Sequence, residues 1–139
     1  MKTEMEISKL WFDDEKIFIQ TNDGKELWQS LLWYHRLKYA SDEQRNNYRI
    51  SYSGIHWHDV DEDISFESFL YDDPEPTGVA KVFHQYPELN ASAIARRMNM
   101  QQSLLAAYVN GTKKPSIKRK KEIEKTIRDF GKELSTIQF

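Results

Sequence analysis

The sequence predicts a small α+β domain at residues 1–72, with an antiparallel sheet and one or two short helices, followed by an all-α domain at residues 79–139. Three observations predict this division. Apolar residues alternate in short runs in the first half, they recur at helical spacing in the second, and two prolines interrupt the chain between the halves. Residues 73–78 are therefore expected to form a linker that neither a helix nor a central strand crosses.

Short runs typical of strands alternate with turn residues in the first half. Lys9–Phe12 and Lys16–Thr21 are expected to pair around a turn. Asn22-Asp23-Gly24 is a strong hairpin signal, because these residue types suit backbone positions with a positive φ angle, and Lys25–Trp28 is expected to return as a third strand. Further strands are expected at Tyr48–Ser51 and Ile55–Trp57.

Two short helical segments are expected in the same half. Ser41 and Gln44 have the spacing of a capping box, in which each side chain bonds the other residue's backbone N–H, so a helix should begin there and end near Asn47. Ser65 is expected to cap a last helical turn over Phe66–Tyr71.

Four helices are expected in the second half. They are Val79–Tyr86, Ala91–Met98 with Asn90 as its N-cap, Gln101–Asn110 with Gly111 as its stop, and a helix that begins after Pro115 and Ser116. Apolar residues recur in the fourth helix at spacings of three and four, which predicts one apolar stripe. Its members are Ile123, Ile127, Phe130, Leu134 and Ile137.

The connection between the second and third of these helices has the residues that a helix-turn-helix needs. Helices that cross closely need a small residue, which Ala95 supplies, and the tight turn needs a residue that tolerates a positive φ angle, which Asn99 supplies. Gln101, Gln102 and Ser103 stand at the N-terminal end of the third helix, where such helices enter the major groove of DNA. Gln can form two hydrogen bonds with adenine, whereas Ser accommodates several bases.

The segment Val79–Thr126 resembles the lambda-repressor-like (Xre-type) helix-turn-helix family. In that family a Gly-x-x-x-Pro-Ser loop, here Gly111–Ser116, follows the recognition helix, and its basic residues contact phosphate. The resemblance implies base-reading roles for Gln101, Gln102, Ser103 and Ala106, and phosphate contacts for Asn110, Lys113, Lys114, Lys118 and Arg119. The sequence departs from the family at Asn99, where Gly is preferred, and at Ala106 and Ala107, where many members have longer polar side chains.

The charge distribution separates the two halves. Residues 1–77 hold 8 Lys and Arg against 17 Asp and Glu, a net charge of −9, whereas residues 78–139 hold 12 against 5, a net charge of +7. Four cations at 118–121 stand at the start of the fourth helix, where they oppose the helix dipole at a cost of about 0.3–1 kcal/mol each. A phosphate backbone would offset that cost. The alternative is a solvated helix face with Lys118–Glu122 and Lys120–Glu124 ion pairs, in a helical bundle that does not bind DNA.

Four segments of the first half resemble the DUF2442 family of bacterial proteins over Ile7–Tyr71. They are residues 33–37 (Trp-Tyr-His-Arg-Leu), 46–50 (Asn-Asn-Tyr-Arg-Ile), 54–57 (Gly-Ile-His-Trp) and 61–65 (Asp-Glu-Asp-Ile-Ser). His35 stands where members usually have Pro. Members are often encoded beside a small toxin-like protein, so the resemblance implies an antitoxin-like, partner-binding role, with a small basic protein as partner. The residues assigned to that role are Trp57, Asp61, Glu62 and Asp63.

Neither a metal site nor a catalytic site is expected. His56 and His58 would share a strand face beside several acids, but an acidic run of this kind is more often a solvated loop. Asp61, Glu62 and Asp63 are adjacent in sequence, so their side chains diverge, and no nucleophile accompanies them. Capping, ion pairing with Arg36 or Arg49, or an acidic surface for a basic partner are the expected roles. The protein is expected to be no enzyme and to need no cofactor.

The cellular location follows from what the sequence lacks. It has no cysteine, which excludes disulfides and thiolate metal sites. Its first ten residues mix charged with apolar side chains, unlike a signal peptide, and no apolar run approaches the ~20 residues of a membrane span. A cytoplasmic protein is expected.

The expected function is that of a sequence-specific, repressor-type transcriptional regulator that binds double-stranded DNA as a homodimer through its third C-terminal helix. The alternative is an antitoxin-like adaptor that binds a protein through its acidic half. Both descriptions hold together for an autoregulating antitoxin.

Overall fold

The structure, a computed structural model, describes residues 5–139. It divides into two compact units, of which the first ends at Pro76 and the second extends from Thr77 to Phe139, and each has its own hydrophobic core. Residues 1–4, which contributed to the expectation about the signal peptide, lie outside the described residues. Within residues 5–139, no helix combines the length and the apolar character that crossing a bilayer requires.

The first unit begins with an antiparallel sheet in the order β1-β2-β3, which confirms the three predicted strands. The strands are β1 (Ile7–Phe12), β2 (Lys16–Thr21) and β3 (Glu26–Ser30). The predicted hairpin at Asn22-Asp23-Gly24 joins β2 to β3, and Gly24 is the residue of the three that has a positive φ angle, 88°. The Thr21 N–H donates to the Lys25 carbonyl oxygen at 2.8 Å, and the Gly24 N–H donates to the Thr21 carbonyl oxygen at 3.0 Å, which closes the turn.

A second three-stranded sheet follows, where the sequence predicted a single sheet. Its antiparallel strands are β4 (Tyr48–Ile50), β5 (Gly54–Trp57) and β6 (Glu62–Ser65). The acidic segment that was expected to be a solvated loop, residues 61–63, therefore overlaps the strand β6. In this strand the buried Ile64 lies between the exposed Asp63 and Ser65, which is the alternation typical of a sheet with one buried face. Gly54 is required opposite that strand, since a Cβ there would lie 2.5 Å from the Ile64 carbonyl oxygen.

Three short helical elements connect the two sheets, and a fourth follows the second sheet. They are a 3-10 turn at Leu31–Trp33, α1 (His35–Lys38), α2 (Asp42–Asn46) and a second 3-10 turn at Glu67–Leu70. The predicted capping box is confirmed, since the Ser41 hydroxyl accepts from the Gln44 N–H at 3.1 Å and the Gln44 side chain accepts from the Ser41 N–H at 3.0 Å. The predicted cap by Ser65 is also present. Leu31–Trp33 and α1 were not predicted, because elements of three or four residues show no periodicity.

The second unit consists of four helices, as predicted. They are α3 (Gly78–Gln85), α4 (Ala91–Arg97), α5 (Gln102–Asn110) and α6 (Ile117–Ser135). The Asn90 side chain caps α4, the Ser116 hydroxyl caps α6, and Gly111 ends α5 with a left-handed φ of 79°. Gln101 is the N-cap residue of α5 rather than its first helical residue.

The apolar stripe of α6 was predicted to be longer than the buried part of the helix. Ile123 is 2% exposed and Phe130 is packed against the core, but Leu134 is 49% exposed. Ile137 lies beyond the last helical residue and is 55% exposed. The core of the second unit therefore ends near Phe130.

Candidate functional site

The connection between α4 and α5 is short and closely packed. Ala95 is fully buried at the contact between the two helices, and its carbonyl oxygen accepts a hydrogen bond from the Met100 N–H at 2.9 Å. Asn99 has a φ angle of 55°, so the residue predicted to tolerate a positive φ adopts one. Met100 is buried directly afterwards, which anchors the chain before α5 begins. The start of α5 is therefore held in a defined position.

Three consecutive polar residues are exposed at that start. Gln101, Gln102 and Ser103 all face solvent, and their side chains form no hydrogen bond with any residue from 5 to 139. Leu105, further along the same helix, is fully buried. The core thus fixes α5 from one side and leaves the amides and the hydroxyl free to bond an external partner.

The surface becomes less polar along α5. Ala106 lies three to four residues after the exposed residues at 102 and 103, which places it on the same side of the helix. It is half-buried and offers only a methyl group. Polar contacts from this side of α5 to an external partner therefore depend on residues 101–103.

The loop after α5 is fixed by its backbone. The N–H groups of Thr112 and Lys113 both donate to the Ala107 carbonyl oxygen, at 3.0 and 3.3 Å, and the Thr112 hydroxyl bonds the same oxygen at 3.2 Å. Asn110, Lys113 and Lys114 are exposed along this loop. The loop therefore presents cations from a constrained backbone.

The ion pairs that the sequence allowed on α6 are not the ones that form. Glu122 pairs with Arg119 at 3.1 Å and Glu124 pairs with Arg128 at 2.9 Å, so the Lys118–Glu122 and Lys120–Glu124 pairs of the alternative interpretation do not form. Four of the lysines between residues 113 and 121 have no acidic partner within 4.0 Å in the described chain. They are Lys113, Lys118, Lys120 and Lys121. These lysines place positive charge in the loop before α6 and in the first turns of α6, and the first turn of this helix has no acidic residue that would offset the charge.

Arg119 differs from these lysines, although it was assigned with Lys118 to phosphate contact. Its guanidinium is engaged with Glu122, and its side chain is 36% exposed. A phosphate would have to compete with that carboxylate. Arg97 similarly pairs with Glu133 at 2.9 Å and covers the Phe130 ring at 4.9 Å, which holds α4 against α6.

Trp57, assigned to partner binding in the first unit, cannot reach a partner. It is fully buried, and its indole N–H donates to the Arg45 carbonyl oxygen at 2.9 Å. Arg45 is itself buried, and its guanidinium donates to the carbonyl oxygens of Leu37 and Lys38 at 2.9 Å each. Trp57 and Arg45 therefore form the interior of the unit, and the assignment of Trp57 to a surface was wrong.

The three acidic residues of the same assignment have different surroundings. Asp61 is exposed in a turn with a φ of 49°, and its carbonyl oxygen, not its carboxylate, accepts from Arg36 at 2.8 Å. Glu62 is half-buried, and burial raises the pKa of its carboxyl group, an effect that Arg36 partly opposes. Asp63 is exposed and contacts His56 at 2.7 Å. Pairing with Arg36 thus occurs through the backbone.

The histidines do not assemble a metal site with these acids. The His56 and His58 rings lie 6.5 Å apart, and residues 5–139 contain no group of three or more potential ligands that would hold a metal ion. His56 instead joins β5 to β6 through Asp63.

One face of the first sheet carries aromatic rings. Trp11 stacks on Phe18 at a ring separation of 5.3 Å, and the Lys9 ammonium lies 4.8 Å from the Trp11 ring centre. The Lys16 ammonium lies 4.2 Å from the Trp28 ring centre. These cation–π contacts cover part of the aromatic surface.

Comparison with known proteins identifies one family. Residues 7–75 match the model of DUF2442, described as a protein of unknown function, which confirms the resemblance found in the first half. No curated protein and no solved structure matches the chain. The resemblance of residues 79–126 to the helix-turn-helix family stays a prediction.

Proposed function

We propose that the second unit binds double-stranded DNA by inserting the N-terminal end of α5 into the major groove, and that the protein is a repressor-type regulator acting as a homodimer. One observation carries this proposal. The unit that exposes the unbonded side chains of Gln101, Gln102 and Ser103 also exposes lysines at 113, 118, 120 and 121 that have no acidic partner among residues 5–139. Free amides suit base edges, and uncompensated cations suit the phosphates that flank a groove.

The lysines favour DNA over a purely structural role. Opposite charges are available at i+4 for Lys118 and Lys120, yet those carboxylates pair with arginines instead. On a helix face whose only role is solubility, oppositely charged neighbours would form ion pairs, because each such pair stabilises the helix by about 0.2–0.5 kcal/mol. Phosphate binding explains why the cations remain unpaired near the helix N-terminus, where the dipole disfavours them.

The test measures sequence preference. The full chain is titrated against its own upstream DNA and a scrambled duplex at two salt concentrations, and the Gln101→Ala/Gln102→Ala variant is compared with Gln85→Ala, an exposed glutamine on α3. Each bidentate contact to a base is worth about 1–3 kcal/mol, so the double variant should lose at least tenfold in preference. Its salt-sensitive, non-specific binding should remain.

Two results would count against this assignment. A double variant that keeps the wild-type preference would show that α5 does not read bases. A wild-type protein that binds neither duplex at low salt would remove the DNA-binding function altogether.

A second candidate function is an antitoxin-like adaptor whose first unit binds a small basic protein. It is favoured by the exposed carboxylates of Asp61 and Asp63 at one edge of the second sheet, in a half of the chain with a net charge of −9. Acidic surfaces of this kind accelerate and orient binding to basic partners.

The adaptor function is tested by co-expressing the full chain with the product of the adjacent reading frame. Asp61→Asn removes the charge while keeping a residue that tolerates the positive φ, and Asp14→Asn, in the β1–β2 turn, is the matched control. Weaker complex formation by the first variant alone supports the adaptor. Absence of a complex, or equal effects of both variants, rejects this surface.

A further inference from the structure

A cavity of about 190 Å³ lies at the N-terminal end of α3 within the second unit. Its wall combines the first turn of α3 at Gly78–Ala80, Tyr108 of α5, Lys113 of the loop and Lys120 of α6. Its volume is well above the ~10–15 Å³ that one water molecule needs, so a small polar group fits.

The helix end that opens into the cavity has no cap. Thr77 occupies the N-cap position, but its side chain makes no hydrogen bond to the helix, and the first turn contains no acidic residue. The N–H groups at an uncapped helix start have no intrahelical partner and carry partial positive charge. An anion placed there would receive hydrogen bonds from the backbone.

Tyr108 gives an independent indication of a ligand. Its side chain is 8% exposed and lines the cavity, yet its hydroxyl forms no hydrogen bond with any residue from 5 to 139. Every fully enclosed side-chain oxygen or nitrogen in that range has a hydrogen-bond partner, so the Tyr108 hydroxyl, which has none there, is not fully enclosed. The open space that Tyr108 lines is this cavity. A buried tyrosine usually finds a hydrogen-bond partner, and here an external group would supply it.

Three lysines, Lys113, Lys114 and Lys120, complete the surroundings. Lys113 and Lys120 both line the cavity, and neither has an acidic partner within 4.0 Å in the described part of the chain. The wall therefore offers positive charge, backbone N–H groups and a phenolic O–H. These are all donors, and a phosphate oxyanion accepts from such groups.

We propose that this cavity is a phosphate-binding site, in which the α3 N-terminus and the Tyr108 hydroxyl donate hydrogen bonds to an oxyanion that Lys113 and Lys120 attract. The phosphate belongs either to a DNA backbone or to a small phosphorylated molecule, which have this chemistry in common. The site does not depend on base reading by α5, so it can exist with or without the regulatory function proposed above.

The experiment is a calorimetric titration of the full chain with inorganic phosphate, against chloride at matched ionic strength. Tyr108→Phe removes only the hydroxyl and keeps the ring in place. Lys120→Gln removes one cation of the wall, and Lys132→Gln removes a cation further along α6, which does not line the cavity. Thermal denaturation without phosphate checks that all variants fold, and Tyr108→Phe should melt like the wild type because its hydroxyl has no internal partner.

Saturable phosphate binding is expected, about tenfold weaker in Tyr108→Phe because a hydrogen bond to a charged group is lost, weaker in Lys120→Gln and unchanged in Lys132→Gln. No saturable binding, or equal binding by all variants, would overturn the proposal. Duplex DNA that displaces phosphate would identify the DNA backbone as the source, and phosphate binding unaffected by DNA would identify a small molecule. Phosphate binding without any DNA binding would leave this site in place while rejecting the DNA-binding function.

Discussion

Replacing Lys113 and Lys118 with Gln should reduce the salt dependence of DNA binding without changing sequence preference. Neither ammonium has an acidic partner within 4.0 Å in residues 5–139, so its removal breaks no internal ion pair. Each cation that neutralises a phosphate contributes about 0.9 to the slope of log affinity against log salt concentration. The double variant should therefore have a slope shallower by about 1.8.

The control removes the same charge from cations that already have partners. Lys125 pairs with Asp129 at 2.8 Å and Arg128 pairs with Glu124 at 2.9 Å, further along α6. The Lys125→Gln/Arg128→Gln variant has the same net charge as the test variant. Because its cations are not expected to contact phosphate, its slope should stay at the wild-type value.

The assay is fluorescence anisotropy of a labelled duplex at several salt concentrations, with each slope fitted separately. An equal decrease in the salt-dependence slope of both double variants would mean that the net charge of the protein governs binding, and not contacts of particular lysines with phosphate. An unchanged slope in the Lys113→Gln/Lys118→Gln variant would refute the assignment of these lysines to phosphate. Arg119→Gln should have a smaller effect than Lys118→Gln, because Glu122 already engages the Arg119 guanidinium.

Three further predictions concern stability, each measured by urea denaturation. Gly131→Ala should stabilise the protein by about 1 kcal/mol, because a Cβ there meets nothing within 4 Å and alanine favours the helix; destabilisation would instead indicate a partner that approaches this face. Arg45→Met should destabilise by roughly 3 kcal/mol or more, because it leaves the buried carbonyl oxygens of Leu37 and Lys38 without their donor, and a loss under 1 kcal/mol would contradict that burial. Burial raises the pKa of Glu62, so its ionisation destabilises the folded state as pH rises through that pKa; Glu62→Gln should stabilise at pH 7, and this gain should disappear below the ordinary pKa of glutamate. A gain that is independent of pH would refute this last argument.

The local sequence determined the helix ends of this protein. The Ser41 and Gln44 capping box, the Asn90 cap and the Gly111 stop form at the predicted positions, and α6 begins directly after Ser116, as predicted. Each of these interactions joins atoms within a few residues of one another, so the residue types alone are sufficient to specify them. The polar residues at 101–103 were likewise recognisable from their place before a buried Leu105.

Only the tertiary structure decided which groups are buried and which charges pair. Trp57 and Arg45 lie in the interior because α2 and β5 pack together, and no local pattern distinguishes them from a surface tryptophan and arginine. Glu122 has both Lys118 and Arg119 within helical reach, and the choice of Arg119 depends on side-chain geometry that spacing does not specify. The unpartnered Tyr108 hydroxyl depends on three helices and a loop meeting around one cavity. Contacts between segments distant in sequence depend on the packing of the whole unit. Such contacts form the interior around Trp57 and Arg45 in the first unit and the proposed phosphate site in the second.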